Sequence, residues 1–191
     1  MRRVTYLVAA TLDGRIARLD GSFDFFGAAG DAHLADYVAS LRHFDAVLMG
    51  RKTYEIGLAM GVTDPYPLLD SYIFSSSMSE SPNERVHLIG DSPASWVRAF
   101  KQRPGGAIYL CGGARLAAAL LEAGLIDEVV VKLNPLLIGD GLPLFEAIKR
   151  PTLLALTSTK TYENGVVLLT YLLNDDRAAA QSPARATRES P

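Results

Sequence analysis

Apolar residues in this chain gather into short unbroken runs separated by stretches of helical spacing, and that alternation predicts an α/β protein. The runs Val4–Ala10, Asp45–Met49, Ser71–Phe74, Val86–Ile89, Ala107–Leu110 and Asp127–Leu133 have strand length and little polar interruption, as expected of parallel strands covered on both faces. Between the first two runs, Asp31–Arg42 carries Leu34, Val38 and Leu41 on one helical face, with Asp31 placed as the N-cap. A short helix is expected from Arg51. Ser92-Pro93 supplies an N-cap and a first-turn proline for a third helix through Phe100, halted at Arg103-Pro104-Gly105-Gly106. A fourth shows Leu116, Leu120 and Leu121 as its packing face and stops at Gly124. Two closing runs, Leu153–Tyr162 and Val166–Leu173, flank Glu163-Asn164-Gly165, a strong hairpin signal.

The order predicts a three-layer α/β fold: a mostly parallel mixed sheet, helices on both faces, and a C-terminal antiparallel hairpin. Residues 1–173 are expected to form one domain. Residues 174–191 contain no Val, Ile, Leu or aromatic side chain. They cannot bury enough apolar surface to offset their ordering entropy, so a disordered tail is expected.

Composition narrows the function classes. The chain has 191 residues, 49% hydrophobic and 21% charged, with a formal net charge of −2. Its Lys and Arg are scattered, which argues against nucleic acid or an anionic membrane as partner. The single cysteine, Cys111, excludes an intrachain disulfide and a Cys-based zinc cluster, and points to a reducing, cytoplasmic setting. Met1-Arg2-Arg3 imitates the start of a signal peptide, but Asp13-Gly14-Arg15 stands where a cleavage site would be needed. His33, His43 and His87 have no metal-ligand spacing, so no metal is expected.

The candidate chemistry lies at two strand-to-helix junctions, Met49-Gly50-Arg51-Lys52-Thr53 and Leu110-Cys111-Gly112-Gly113-Ala114. A helix start presents unpaired N–H groups and partial positive charge to phosphate oxygens, and glycine admits the ligand to the backbone. Neither junction is the G-x-G-x-x-G or Walker pattern. Singly, each reads as a structural turn as readily as a cofactor site; the pairing favours two halves of one dinucleotide site. Arg51 stands where the helix dipole disfavours a cation, a penalty that a bound phosphate would reverse. Ser75-Ser76-Ser77 could offer hydroxyls to a second phosphate or form a plain polar loop. Within the long loop Thr11–Gly30, Asp13–Ser22 is the candidate lid or binding loop, with Asp13 its best-placed acid or simply a turn residue. Cys111 reads as a small packed residue, because no base accompanies it.

These segments, with Thr11-Leu12-Asp13-Gly14-Arg15-Ile16-Ala17, Gly124-Leu125-Ile126-Asp127-Glu128 and Gly139-Asp140-Gly141-Leu142-Pro143-Leu144-Phe145, resemble the RibD C-terminal domain family in matching order over residues 3–173. This is the dihydrofolate reductase-like reductase family of riboflavin biosynthesis. The resemblance implies that fold, NADPH as hydride donor, and a pterin-like or ribosylamino-pyrimidine-like small-molecule substrate. It is also compatible with a homodimer. By matched position, Gly50, Arg51, Lys52 and Thr53 would hold the pyrophosphate and the adenosine-side phosphate, helped by Ser75 and Ser76. Cys111, Gly112, Gly113, Ala114 and Leu116 would line the middle and nicotinamide side, while Ala10 and Ile16 would contact nicotinamide. In folds of the kind the resemblance implies, the two glycines Gly112 and Gly113 can be joined by a cis bond. Folate reductases hold the pterin with an acid on the first helix; a gap-free count places Leu34 there, with Asp31 and Asp36 out of register. Asp13 is the candidate catalytic acid. The alternative on the same fold is a sensor that binds NADPH or a pterin without turnover.

Overall fold

The structure, a computed structural model, describes residues 1–29 and 32–173. The expected tail and the expected N-cap Asp31 lie outside the described residues.

The strands are β1 (Val4–Thr11), β2 (Arg15–Ala17), β3 (Phe44–Gly50), β4 (Asp70–Phe74), β5 (Val86–Ile89), β6 (Ala107–Gly112), β7 (Glu128–Asn134), β8 (Leu142–Pro143), β9 (Ala155–Thr161) and β10 (Val167–Leu172). The helices are α1 (Leu34–Leu41), α2 (Arg51–Ala59), α3 (Pro93–Lys101) and α4 (Ala114–Glu122). The main sheet runs β5-β4-β3-β6-β1-β7-β10-β9. Every pair from β5 to β7 is parallel, and β10 and β9 close it antiparallel, as the apolar runs and the Asn-Gly turn predict.

Alternation along β1 builds the three layers. Val4, Tyr6, Val8 and Ala10 join the larger core, where Val97 and Phe100 of α3 and Leu116 and Leu120 of α4 cover the sheet. Leu7 points the other way, toward a smaller core of Val47, Met49, Tyr54, Ile73 and Tyr109. Lys101 ends α3 inside the protein at 2% exposure. Its Nζ donates to the Leu125 carbonyl (3.1 Å) and to Asp127 Oδ2 (2.5 Å), and Asp127 also accepts the Val4 N–H (2.7 Å). This brace ties α3 to the start of β1 and the entry to β7.

Two local expectations are corrected. In α1, Leu34 and Val38 are 46% and 52% exposed, and of the expected stripe only Leu41 packs against a core. The helix is short and lies beside an open cleft, so its inward side presents Tyr37 and Ser40 to that cleft rather than to a closed core. The segment after β1, expected as an uninterrupted loop, contains a short strand. Within it, β2 pairs with β8, and a Cβ on Gly141 would lie 2.4 Å from the Ala17 carbonyl oxygen. Only glycine permits that approach.

Candidate functional site

The two glycine junctions meet. Strands β3 and β6 are parallel neighbours, with Met49 opposite Gly112. The chain leaves β3 for α2 beside the smaller core and leaves β6 for α4 on the larger one. A crevice therefore opens at the carboxyl ends of the strands, where the connections diverge. Gly50 and Gly113 are the N-caps, with φ of −77° and −70°, ordinary extended angles that any residue adopts. Backbone conformation thus does not require glycine at either position; what a side chain would remove is space. A Cβ on Gly50 would face Gly112 O at 3.9 Å and Gly113 N at 4.0 Å, and one on Gly113 would come within 3.3 Å of Thr53 Oγ1. Gly112, at φ +148°, does need glycine, and the Gly112–Gly113 bond is cis. Neither helix start has a side-chain cap or an acidic residue in its first turn. Their amide dipoles are left for an anion.

The crevice belongs to a cleft of about 1630 Å³. Single-ligand sites commonly occupy roughly 300–1,000 Å³, so this one has room for a coenzyme and a second molecule. Every residue expected to contact the coenzyme lines it except Ala10. The Ala10 side chain is 1% exposed in the larger core, and its carbonyl accepts a hydrogen bond from Asn134 Nδ2 at 3.0 Å. Arg51 is not a bare cation: its Nη1 donates to Glu55 Oε1 at 2.6 Å, one turn along the same helix. Ser75 Oγ accepts the amides of Ser77 (3.1 Å) and Met78 (2.8 Å), which leaves its hydroxyl hydrogen to donate. Burial pushes the Cys111 thiol up from its ordinary value, which disfavours the nucleophilic thiolate.

Asp13 does not line the cleft. Its carboxylate accepts the Thr11 hydroxyl and the amides of Gly139 (2.8 Å) and Ile138 (3.3 Å), stapling the β1–β2 turn to the loop ahead of β8. The Thr11 hydrogen bond, followed by those amides, holds its pKa below the ordinary 3.8. A carboxylate so engaged is a poor proton donor, so the placement does not favour the expected catalytic role. A depressed carboxylate stabilises the fold above its unfolded pKa, and that contribution fades as pH falls through the folded one. Asp13→Asn is therefore expected to melt below the wild type at neutral pH, with the gap closing as pH drops below 3.8. Melts across a pH series check this; a pH-independent gap rejects it.

Residues that local sequence reading did not single out complete the cleft. Tyr37 from α1, Tyr66 from the loop before β4, and Tyr109 of β6 bring their hydroxyls together beside Cys111. Asp36 also lines the cleft. Lys160 Nζ and the Tyr162 hydroxyl (2.6 Å) bond its carboxylate, and they hold its pKa down in that order. The acid nearest the folate position is thus already fastened to the C-terminal hairpin. Among the described residues, no group of His, Cys, Asp and Glu could hold a metal ion, and no helix is long and apolar enough to cross a membrane.

Comparison with known proteins gives a consistent picture. The chain matches the RibD C-terminal domain over residues 2–168. It is 32% identical over 170 residues to the uncharacterized protein YwjB of Bacillus subtilis (strain 168), spanning 87% of this chain and 96% of that one. A Shewanella sp. PV-4 protein ascribed to riboflavin biosynthesis has a similar structure, with a TM-score of 0.80 and 24% identity over 91% of this chain and 99% of its own. Dihydrofolate reductase from Enterococcus faecalis, solved with NADP(H), gives 0.67 at 16% identity over 91% and 97%. At these identities the two solved structures speak for the fold.

Proposed function

Because this chain belongs to the RibD C-terminal domain family, we propose that it is an NADPH-dependent reductase of a pterin-like or ribosylamino-pyrimidine-like small molecule. One observation carries the reading: two uncapped helix starts converge, and their cap glycines have backbone angles that do not call for glycine. Space has been kept there for a ligand at the backbone. The names of structural neighbours supply the candidate chemistry. The Enterococcus protein was solved with NADP(H). A Thermotoga maritima protein, of which this chain matches 57%, is a deaminase and 5-amino-6-(5-phosphoribosylamino)uracil reductase.

In this reading the first-turn amides of α2, with Arg51, Lys52 and Thr53, hold the pyrophosphate and the adenosine-side phosphate. The Ser75 hydroxyl donates to that phosphate beside Ser76. Cys111, Gly112, Gly113, Ala114 and Leu116 would line the middle and nicotinamide side, Ile16 would contact nicotinamide, and Ala10 has only its backbone to offer. When bound, the coenzyme supplies a hydride. The protein orients both molecules and excludes water from the cleft. Asp13 works as a fastener of the loop.

Titration with NADPH tests the reading. At a hundredfold excess over Kd, specific binding adds about 2.7 kcal/mol of stability and raises the melting temperature. No shift rejects it. Coenzyme oxidation is then screened with dihydrofolate, other pterins and ribosylamino-pyrimidines; binding without turnover across that panel favours the sensor alternative. Arg51→Ala is expected to weaken NADPH roughly tenfold or more while leaving NADH nearly unchanged, since a charged hydrogen bond to the extra phosphate is lost. Equal losses for both coenzymes remove Arg51 from that role.

A further inference from the structure

Three tyrosine hydroxyls in the cleft are not among the proposed coenzyme contacts. The hydroxyls of Tyr37, Tyr66 and Tyr109 form a triangle, with Tyr37–Tyr66 at 3.2 Å and Tyr37–Tyr109 and Tyr66–Tyr109 at 3.4 Å. Tyr66 also reaches Cys111 Sγ at 3.2 Å. All four residues line the cleft. Hydroxyl–hydroxyl bonds normally measure about 2.5–3.0 Å, so each side of this triangle is long and its bonds are weak. Ring packing places two of the three hydroxyls. Tyr66 stands edge-on to Tyr109 at 5.3 Å, and Phe44 packs on Tyr109 at 5.5 Å. Each phenol has one hydrogen and two lone pairs, so the group can both donate and accept.

That chemistry selects a class of ligand. A carbonyl takes a hydroxyl hydrogen, and an adjacent N–H finds a lone pair; a cyclic amide presents both along one edge. Burial raises the pKa of all three tyrosines, so they stay neutral, and the same burial penalises a charged ligand. Among the described residues, none of the hydrogen bonds to the triangle comes from a lysine or arginine that could offset an anion. Cys111, at one corner, directly precedes the Gly112–Gly113 junction. We propose that the Tyr37–Tyr66–Tyr109 triangle is a specificity-determining subsite, binding the uncharged cyclic-amide edge of the acceptor ring beside the coenzyme half of the cleft. The acceptor's place beside a coenzyme rests on the reductase reading; recognition of the edge does not.

The test is calorimetric titration of the full-length protein with uracil and with barbiturate, with and without NADP+. Barbiturate offers the same kind of edge on a ring that is anionic at neutral pH. Uracil is expected to bind, and barbiturate to bind at least about tenfold more weakly. Tyr37→Phe and Tyr66→Phe keep the packing and remove one hydroxyl each. Each is expected to weaken uracil roughly three- to tenfold, leaving NADP+ affinity and the melting temperature unchanged. Undetectable uracil binding, equal affinity for barbiturate, or uracil affinity untouched by both variants overturns the proposal. Phe variants that lose stability but not uracil affinity also overturn it, because they would make the triangle a structural tie. Uracil binding without NADP+ binding defeats the reductase reading and leaves the subsite standing.

Discussion

Gly50→Val is expected to leave the protein folded and to weaken NADPH by more than a hundredfold, about 2.7 kcal/mol. Folding survives because Gly50 has φ −77° and ψ 154°, where a branched residue is at ease. The first added carbon would meet only ordinary contacts, 3.9 Å to Gly112 O and 4.0 Å to Gly113 N. Its two methyl groups, however, would enter the space between the helix starts of α2 and α4. Phosphate oxygens would then be held off the amides, and an anion–dipole interaction falls away within the first turn. Gly50→Ala should fall between valine and the wild type. Circular dichroism and NADPH titration separate the two effects. Valine binding within tenfold of the wild type would show that the convergence of glycines is not where the coenzyme sits.

The second large effect concerns the frame. Lys101→Met is expected to destabilise the protein by about 2–4 kcal/mol in urea unfolding, while keeping an apolar stem of similar length at this buried end of α3. The buried ammonium bonds both the Leu125 carbonyl and the Asp127 carboxylate. Removing it strands a carboxylate that also holds the amide of Val4. Breaking a buried pair typically costs roughly 3–5 kcal/mol. The Asp127 side chain is 30% exposed, so water recovers part of that loss. Adding Asp127→Asn should restore some stability by removing the unpaired charge. A single-variant loss under about 0.5 kcal/mol would mean that the brace is decorative.

How much of this could be read from the chain depends on how far apart the participating residues are. The glycine junctions and the Asn164-Gly165 hairpin depend on neighbours within a few residues, where turn chemistry and apolar runs speak directly. The Arg51–Glu55 pair was equally local, four residues apart on one helix, and the spacing alone could have shown it. The stripe on α1 misled for a different reason. Periodicity says which side chains share a face, not what that face meets; here Leu34 and Val38 meet solvent while Tyr37 meets the cleft. Asp13 is a similar case. A carboxylate before a glycine signals a turn, but the amides it binds come from residues 138 and 139, which nothing near it foretells.

By itself the amino-acid order determined the layers, the parallel sheet with its antiparallel close, and the two strand-to-helix junctions opened by glycine. Each follows from short-range rules of burial period, capping and turn geometry. Only the tertiary structure decided that β3 and β6 lie side by side, so that distant glycines share one crevice. It also decided that three tyrosines from a helix, a loop and a strand close on Cys111, and that Asp13 serves as a staple outside the cleft. Those outcomes depend on strand order and on packing between segments far apart in the chain, which local pattern does not encode.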